Sequence, residues 1–141
     1  MDVAARIASR LVGHHLLQVE QSDHEWLFRF ANSVGLRIAC PWRIIVKGRV
    51  AHGDSDHAQQ FGLPKPIDGA ARSRSLLLNK AVQGVAIRDD TGDLTITFND
   101  RAALEVLNTS SGYEGWQLND GAGLNVVATG GGELALWNNP S

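Results

Sequence analysis

The six residues His52-Gly53-Asp54-Ser55-Asp56-His57 hold two imidazoles and two carboxylates, the densest group of chemistry-bearing side chains in the chain. Imidazole nitrogens and carboxylate oxygens are ligands of zinc and similar divalent cations, so this donor set suits a metal in principle. A zinc site needs three or four donors converging on one point, and a loop with no outside donors has difficulty wrapping an ion. Aspartates in a polar loop have another use, which is to accept hydrogen bonds from backbone amides a few residues away. The loop reading is adopted for His52, Asp54, Asp56 and His57, and no metal or other cofactor is expected.

The second string is Gly112-Tyr113-Glu114-Gly115-Trp116. Two large aromatics around a carboxylate suit a stacking site for a ring or sugar, which makes Tyr113, Glu114 and Trp116 the candidate binding residues. Such aromatics also close the end of a β-structure, the phenol hydroxyl and indole N–H finding internal partners. Both rings are expected to be buried. Glu114 would then lie against apolar surface, where a carboxylate must be paired or hydrogen-bonded.

No catalytic residue is assigned. There is no Gly-x-Ser-x-Gly elbow, and Gly130-Gly131-Gly132 lacks the helix and lysine of a phosphate-binding loop. Asp89, Asp90 and Asp93 lack the spacing and closing glutamate of a calcium loop and read as a solvated turn. His14-His15 read as a strand end. The single cysteine, Cys40, sits in an apolar strand-like run and reads as a buried thiol rather than a nucleophile.

The elements that must position these groups are mostly strands. Trp26 to Phe30, Leu36 to Cys40 and Leu94 to Phe98 alternate with period two, the mark of a strand with one buried face. Turn residues at 32–35 and 90–93 separate them into hairpins, and Leu124–Thr129, Gly130-Gly131-Gly132 and Glu133–Trp137 read as a terminal hairpin. Helices are predicted over about Asp2–Val12, with Asp2 as N-cap, and within Ala70–Ala81. Gly53–Gly69 is a polar, turn-rich surface loop of the kind that often carries function.

The halves match at an offset of 68. Trp26, Phe28 and Phe30 fall on Leu94, Ile96 and Phe98; Leu36 and Ile38 fall on Leu104 and Val106; Leu17 and Val19 fall on Val85 and Ile87. Upstream, Ala4-Ala5-Arg6 matches Ala70-Ala71-Arg72 at 66. Residues 1–141 are therefore expected to form a single domain with an internal repeat, 2–50 and 70–118. The fold class is α+β, mostly β: two pseudo-symmetric helix-plus-meander halves sharing one core, as a half-barrel pair or sandwich.

The chain has 141 residues, 43% hydrophobic and 20% charged, enough to bury one core. Its net charge of -2 and scattered basic residues supply no footprint for phosphate neutralisation, so nucleic acid is not an expected partner. Met1–Val12 is interrupted by Asp2, Arg6 and Arg10, and no apolar stretch reaches the ~20 residues of a membrane span. A cytoplasmic protein without membrane contact is expected.

Two family resemblances bear on function. His52–His57 resembles the HxHxDH motif of metallo-β-lactamase-fold hydrolases with Asp54 in place of the middle histidine. It covers six residues only, and that family needs further ligands in a longer chain. From Val82 to Trp137, the strand at Asp93–Phe98, Leu104-Glu105-Val106, the GYExW string and the Gly-rich hairpin resemble small uncharacterised bacterial β-rich proteins, some of them immunity proteins of polymorphic toxin systems. That resemblance implies a non-enzymatic protein-binding domain whose partner is a cognate toxin. A small-molecule-binding domain with a pocket near Tyr113 and Trp116 is the alternative, and a metal-dependent hydrolase the third.

Overall fold

The computed structural model describes residues 2–138. Helix α1 (Val3–Leu11) is opened by Asp2, whose carboxylate accepts the Ala5 N–H at 2.7 Å, and it buries Ile7 and Leu11. Helix α2 (Gly69–Leu77) is opened in the same way by Asp68, which accepts the Ala71 N–H at 3.1 Å. It starts one residue before the expected window Ala70–Ala81 and ends inside it, and Leu76, Leu77 and Leu78 are half-buried, buried and exposed in turn.

The strands are β1 (Leu16–Ser22), β2 (Glu25–Phe30), β3 (Gly35–Ile38), β4 (Trp42–Val46), β5 (Arg49–Gly53), β6 (Val82–Ile87), β7 (Leu94–Phe98), β8 (Ala102–Val106), β9 (Trp116–Asn119), β10 (Leu124–Gly130) and β11 (Glu133–Asn138). All pairings are antiparallel, giving two sheets of order β1-β2-β3-β9-β10-β11 and β5-β4-β8-β7-β6. The fold is α+β and mostly β. Each three-stranded meander is extended by the hairpin from the other half of the chain: β9–β10 joins β3, and β4–β5 joins β8. The helices cross over as well, α1 packing on β6 and α2 on β1.

One apolar core draws on both sheets and both helices. The expected core residues Trp26, Phe28, Phe30, Leu94, Ile96 and Phe98 are all buried. Phe30 and Phe98 stack across the middle with centroids 6.4 Å apart, while Trp42 meets Trp26 and Phe28 edge-on at 5.2 and 5.1 Å.

Two expectations need correction. In the pairing registers Leu16 and Val19 lie opposite Phe30 and Phe28 as Val82 and Val85 lie opposite Phe98 and Ile96, an offset of 66 where 68 was expected for the first strands. Between the facing pair Ile87 and Leu94 the chain has two more residues than between the facing pair Gln21 and Trp26, so the offset becomes 68 beyond that hairpin turn. Cys40 lies outside β3 and is half-buried. Burial, with Asp93 and Asp54 nearby, still pushes its thiol up to about 12, so it stays protonated and unreactive near neutrality.

Candidate functional site

His52 belongs to β5 rather than to the loop after it, and its side chain is 0% exposed. Its ring packs on Trp42 at 5.6 Å, and neither ring nitrogen has a hydrogen-bond partner among the described residues. The carboxylates that follow serve the backbone: Asp54 accepts the Trp42 N–H at 3.2 Å, and Asp56 accepts that of Gly53 at 3.0 Å around a single 3₁₀ turn. The His57 Nδ1 accepts the Gly69 N–H at 2.9 Å, anchoring the start of α2, and the ring stands edge-on to Trp26 at 5.3 Å. Gly69 must lack a side chain here, because a Cβ would sit 2.8 Å from the Trp26 ring. The string thus joins β5 to α2. Among the described residues no group of three or more His, Cys, Asp or Glu side chains is placed to hold a metal.

Burial lowers the pKa of His52, with Arg72 and His57 acting in the same direction against Asp56 and Asp54. A histidine held neutral in the fold contributes stability that is present above the unfolded pKa, about 6.5, and is lost as pH falls towards the folded value. Stability of the wild type is therefore expected to decline below about pH 6.5. In His52→Phe, which also removes two unpartnered nitrogens, the decline should be shallower. Thermal melts across this window check it: equal slopes in the two proteins would show that His52 does not titrate with unfolding.

The GYExW string divides. Trp116 is buried in β9 and its indole N–H donates to the Gly92 carbonyl at 2.9 Å. Tyr113 is not buried, contrary to expectation: it is 81% exposed, in a loop pinned by the Ser110 hydroxyl, which accepts the Gly112 and Tyr113 N–H groups at 3.1 and 2.8 Å. Glu114 is exposed too, and among the described residues it makes no ion pair, so it is not the buried anchor expected. The glycine on either side of Tyr113-Glu114 lets the chain stand off the core before Trp116 turns in. Glu114 and Trp116 share a hollow of about 80 Å³ with Glu25, Arg37, Ala39, Gly115 and Gln117, and Tyr113 is not part of it. Ligand pockets run to about 300 Å³ and above, and this hollow is small beside them. Glu114→Gln is expected to change stability by less than about 0.5 kcal/mol, as for other exposed substitutions, which chemical denaturation measures.

Two further surface features bear on function, the second of them within the Gly53–Gly69 loop expected to carry it. The first is a hollow of about 300 Å³ on the outer face of the first sheet, lined by Leu27, Arg29, Ser33, Gly35, Arg37, Gln117 and Asn119. The second is the loop between the 3₁₀ turn and α2. Ala58 N–H bonds the Ile67 carbonyl and Ile67 N–H the Gln59 carbonyl, each at 2.8 Å, closing the loop at its base. Leu63 N–H and the Gln60 side chain add two further 2.8 Å bonds across its tip. Phe61 and Leu63 stand in solvent on this pinned backbone, 67% and 46% exposed.

A family match spans residues 7–138, nearly the whole described chain and all of these features. The chain belongs to a family of unknown function, DUF6188. No curated protein and no solved structure matches it. Within this DUF6188 chain one further charged residue is set deep: Asp120, after β9, is buried and lies 3.0 Å from Arg10 of α1. Its sequence context, Asn-Asp-Gly, reads as an ordinary turn, and only the arrival of α1 from the other end of the chain marks it out.

Proposed function

We propose that the chain is a non-enzymatic protein-binding domain of the immunity type, which occludes a bacterial toxin in the cytosol. The observation that carries this is the pinned loop at 58–67. A bulky residue at positive φ is strained, and Phe61 is held at φ 48° between Ala58 at 67° and Gly62 at 76°. Strain of this kind persists where the surroundings over-determine it, and it clusters at functional positions. Here it keeps an aromatic ring and Leu63 in water, where they cost solvation and add nothing to the core. A rigid loop carrying such anchors suits a partner with an apolar pocket, because the ordering cost of binding is met in advance.

The test is a search of the neighbouring genes for a toxin, co-expression of the chain with it, and purification of the complex. Phe61→Asp with Leu63→Asp is expected to weaken that complex by about 30-fold or more, the effect of losing a binding hot spot, with an unchanged melting temperature. A complex of undiminished affinity, or no complex at all, overturns the proposal.

We also infer that residues 2–50 and 70–118 are copies of one unit. The strand orders β1-β2-β3-β9-β10 and β6-β7-β8-β4-β5 become the same when each strand of one half is exchanged for its counterpart. Supporting details are the Asp2 and Asp68 caps, the irregularities after Leu16 and Val82, and the left-handed pairs Asn32-Ser33 and Asp100-Arg101. Trp42 and Trp116 also occupy matching positions, opposite Val106 and Ile38. On this reading the two meanders are the paired halves of one sandwich.

A further inference from the structure

We propose that the hollow around Gly35, on the outer face of the first sheet, is a binding site for a carboxylate group, held by Arg29 and Arg37. This is separate from the loop at Phe61 and does not depend on it.

The glycine is the first observation. Gly35 opens β3, just after the turn at Asn32-Ser33, and pairs with Arg29 on one side and Asn119 on the other. Its φ is not in the left-handed region, and a Cβ built there would meet only the Leu27 Cδ1 at 3.7 Å, an ordinary contact. The fold therefore does not require glycine at this position. What glycine provides is the open floor of the hollow.

The second observation is a comparison within the molecule. Two rungs cross the first sheet here, Arg29–Gly35–Asn119 and Leu27–Arg37–Gln117. The matching rungs of the second sheet are Thr97–Ala103–Ile45 and Thr95–Glu105–Arg43. There the floor carries a methyl group and the guanidinium is neutralised, Arg43 Nε lying 2.7 Å from Glu105. On the first sheet the floor is bare, two guanidiniums stand in place of Thr97 and Glu105, and an amide takes the place of Arg43.

The charge of the site then selects the ligand. Arg37 Nη1 donates to Glu25 at 2.7 Å, which fixes that guanidinium and cancels about one charge. The Arg29 guanidinium, whose backbone pairs with Gln18 and Gly35, makes no hydrogen bond or ion pair among the described residues. Glu20, the other carboxylate on these rungs, pairs in register with Leu27 and does not line the hollow. Two cations less one carboxylate leave one net positive charge, which matches a singly charged carboxylate rather than a phosphate dianion. A planar guanidinium grips a carboxylate through two parallel N–H···O bonds, and Gln117 supplies a neutral donor beside it. Leu27 on the rim offers apolar surface to the carbon adjoining the carboxylate.

The same group arrives either on a free small acid or on a glutamate of a protein partner, and titration of the full chain followed by backbone amide NMR separates the two. Sodium acetate is one probe and an end-capped Gly-Glu-Gly peptide the other. Saturable shifts centred on Arg29, Gly35 and Gln117 are expected with at least one probe. Binding should be at least tenfold weaker in Arg29→Gln, as for loss of a charge-assisted pair. It should also be weaker in Gly35→Ala, and unchanged in Arg43→Gln, with melting temperatures of the Arg29 and Gly35 variants at or above that of the wild type. Response to acetate assigns the site to a small acid, and response to the peptide alone assigns it to a protein side chain. Shifts that do not saturate with either probe, or equal binding by wild type, Arg29→Gln and Gly35→Ala, overturn the proposal.

Discussion

Truncating Phe98 to alanine is expected to cost about 3–5 kcal/mol, the range for removing a buried aromatic side chain when the cavity cannot close. Phe98 ends β7 between Val82 and Ala102 in register, and its ring lies nearly parallel to that of Phe30, 16° apart. Relaxation into the gap is restricted because Phe30 is itself fixed by pairing with Leu16 and by the hydrogen bond its backbone N–H donates to the Val34 carbonyl at 2.8 Å. The loss is a large share of the roughly 5–15 kcal/mol that holds an ordinary domain folded. Thr97, one residue earlier, points to the opposite face, and Thr97→Ala should stay within about 0.5 kcal/mol. Denaturant unfolding of the two variants tests the register directly. A cost below about 1 kcal/mol for Phe98→Ala would mean that this face of β7 is wet.

That register was legible because a strand turns alternate side chains to opposite faces. Trp26, Phe28 and Phe30 alternate with Leu27 and Arg29 in the sequence, and they alternate in burial in the fold. The cap Asp2 and the turn at Asn32 were equally local, set by groups within a few residues. What the sequence did not disclose depends on partners far along the chain. His52 sits among polar neighbours and is buried because β4, paired beside it, brings Trp42 against its ring. The hollow at Gly35 exists only because β9, some eighty residues later, lies along β3 and contributes Gln117 and Asn119. Tyr113 differs for another reason: an aromatic type argues for burial, but the glycines on either side of Tyr113-Glu114 lift the chain off the core.

Asp120→Ala is the second substitution expected to have a large effect, about 3 kcal/mol, because it strips an acceptor from buried donors. The Oδ1 atom of Asp120 accepts the Ala122 N–H at 2.8 Å and the buried Leu124 N–H at 3.0 Å, so this one oxygen organises the turn into β10. Each buried amide left without a partner costs about 1–3 kcal/mol. The ion pair to Arg10 contributes less, since the guanidinium is half-exposed while the carboxylate is not, and water screens the outer end of the interaction. The three possible contributions separate by choice of variant. Asp120→Asn keeps an oxygen for the two amides and loses the charge, and it should cost about 1 kcal/mol. Arg10→Gln leaves the turn intact and should also cost about 1 kcal/mol or less. A double-mutant cycle between these two positions measures the pair itself. If Asp120→Asn proves as damaging as Asp120→Ala, the charge on the carboxylate and not its oxygen geometry holds the turn. The turn also reaches the hollow: a Cβ at Gly121, its next residue, would lie 3.2 Å from the Ser33 carbonyl oxygen, and Ser33 lines the rim. Loosening the turn by Asp120→Ala should therefore weaken carboxylate binding at Arg29 along with stability, whereas Arg10→Gln should leave binding unchanged.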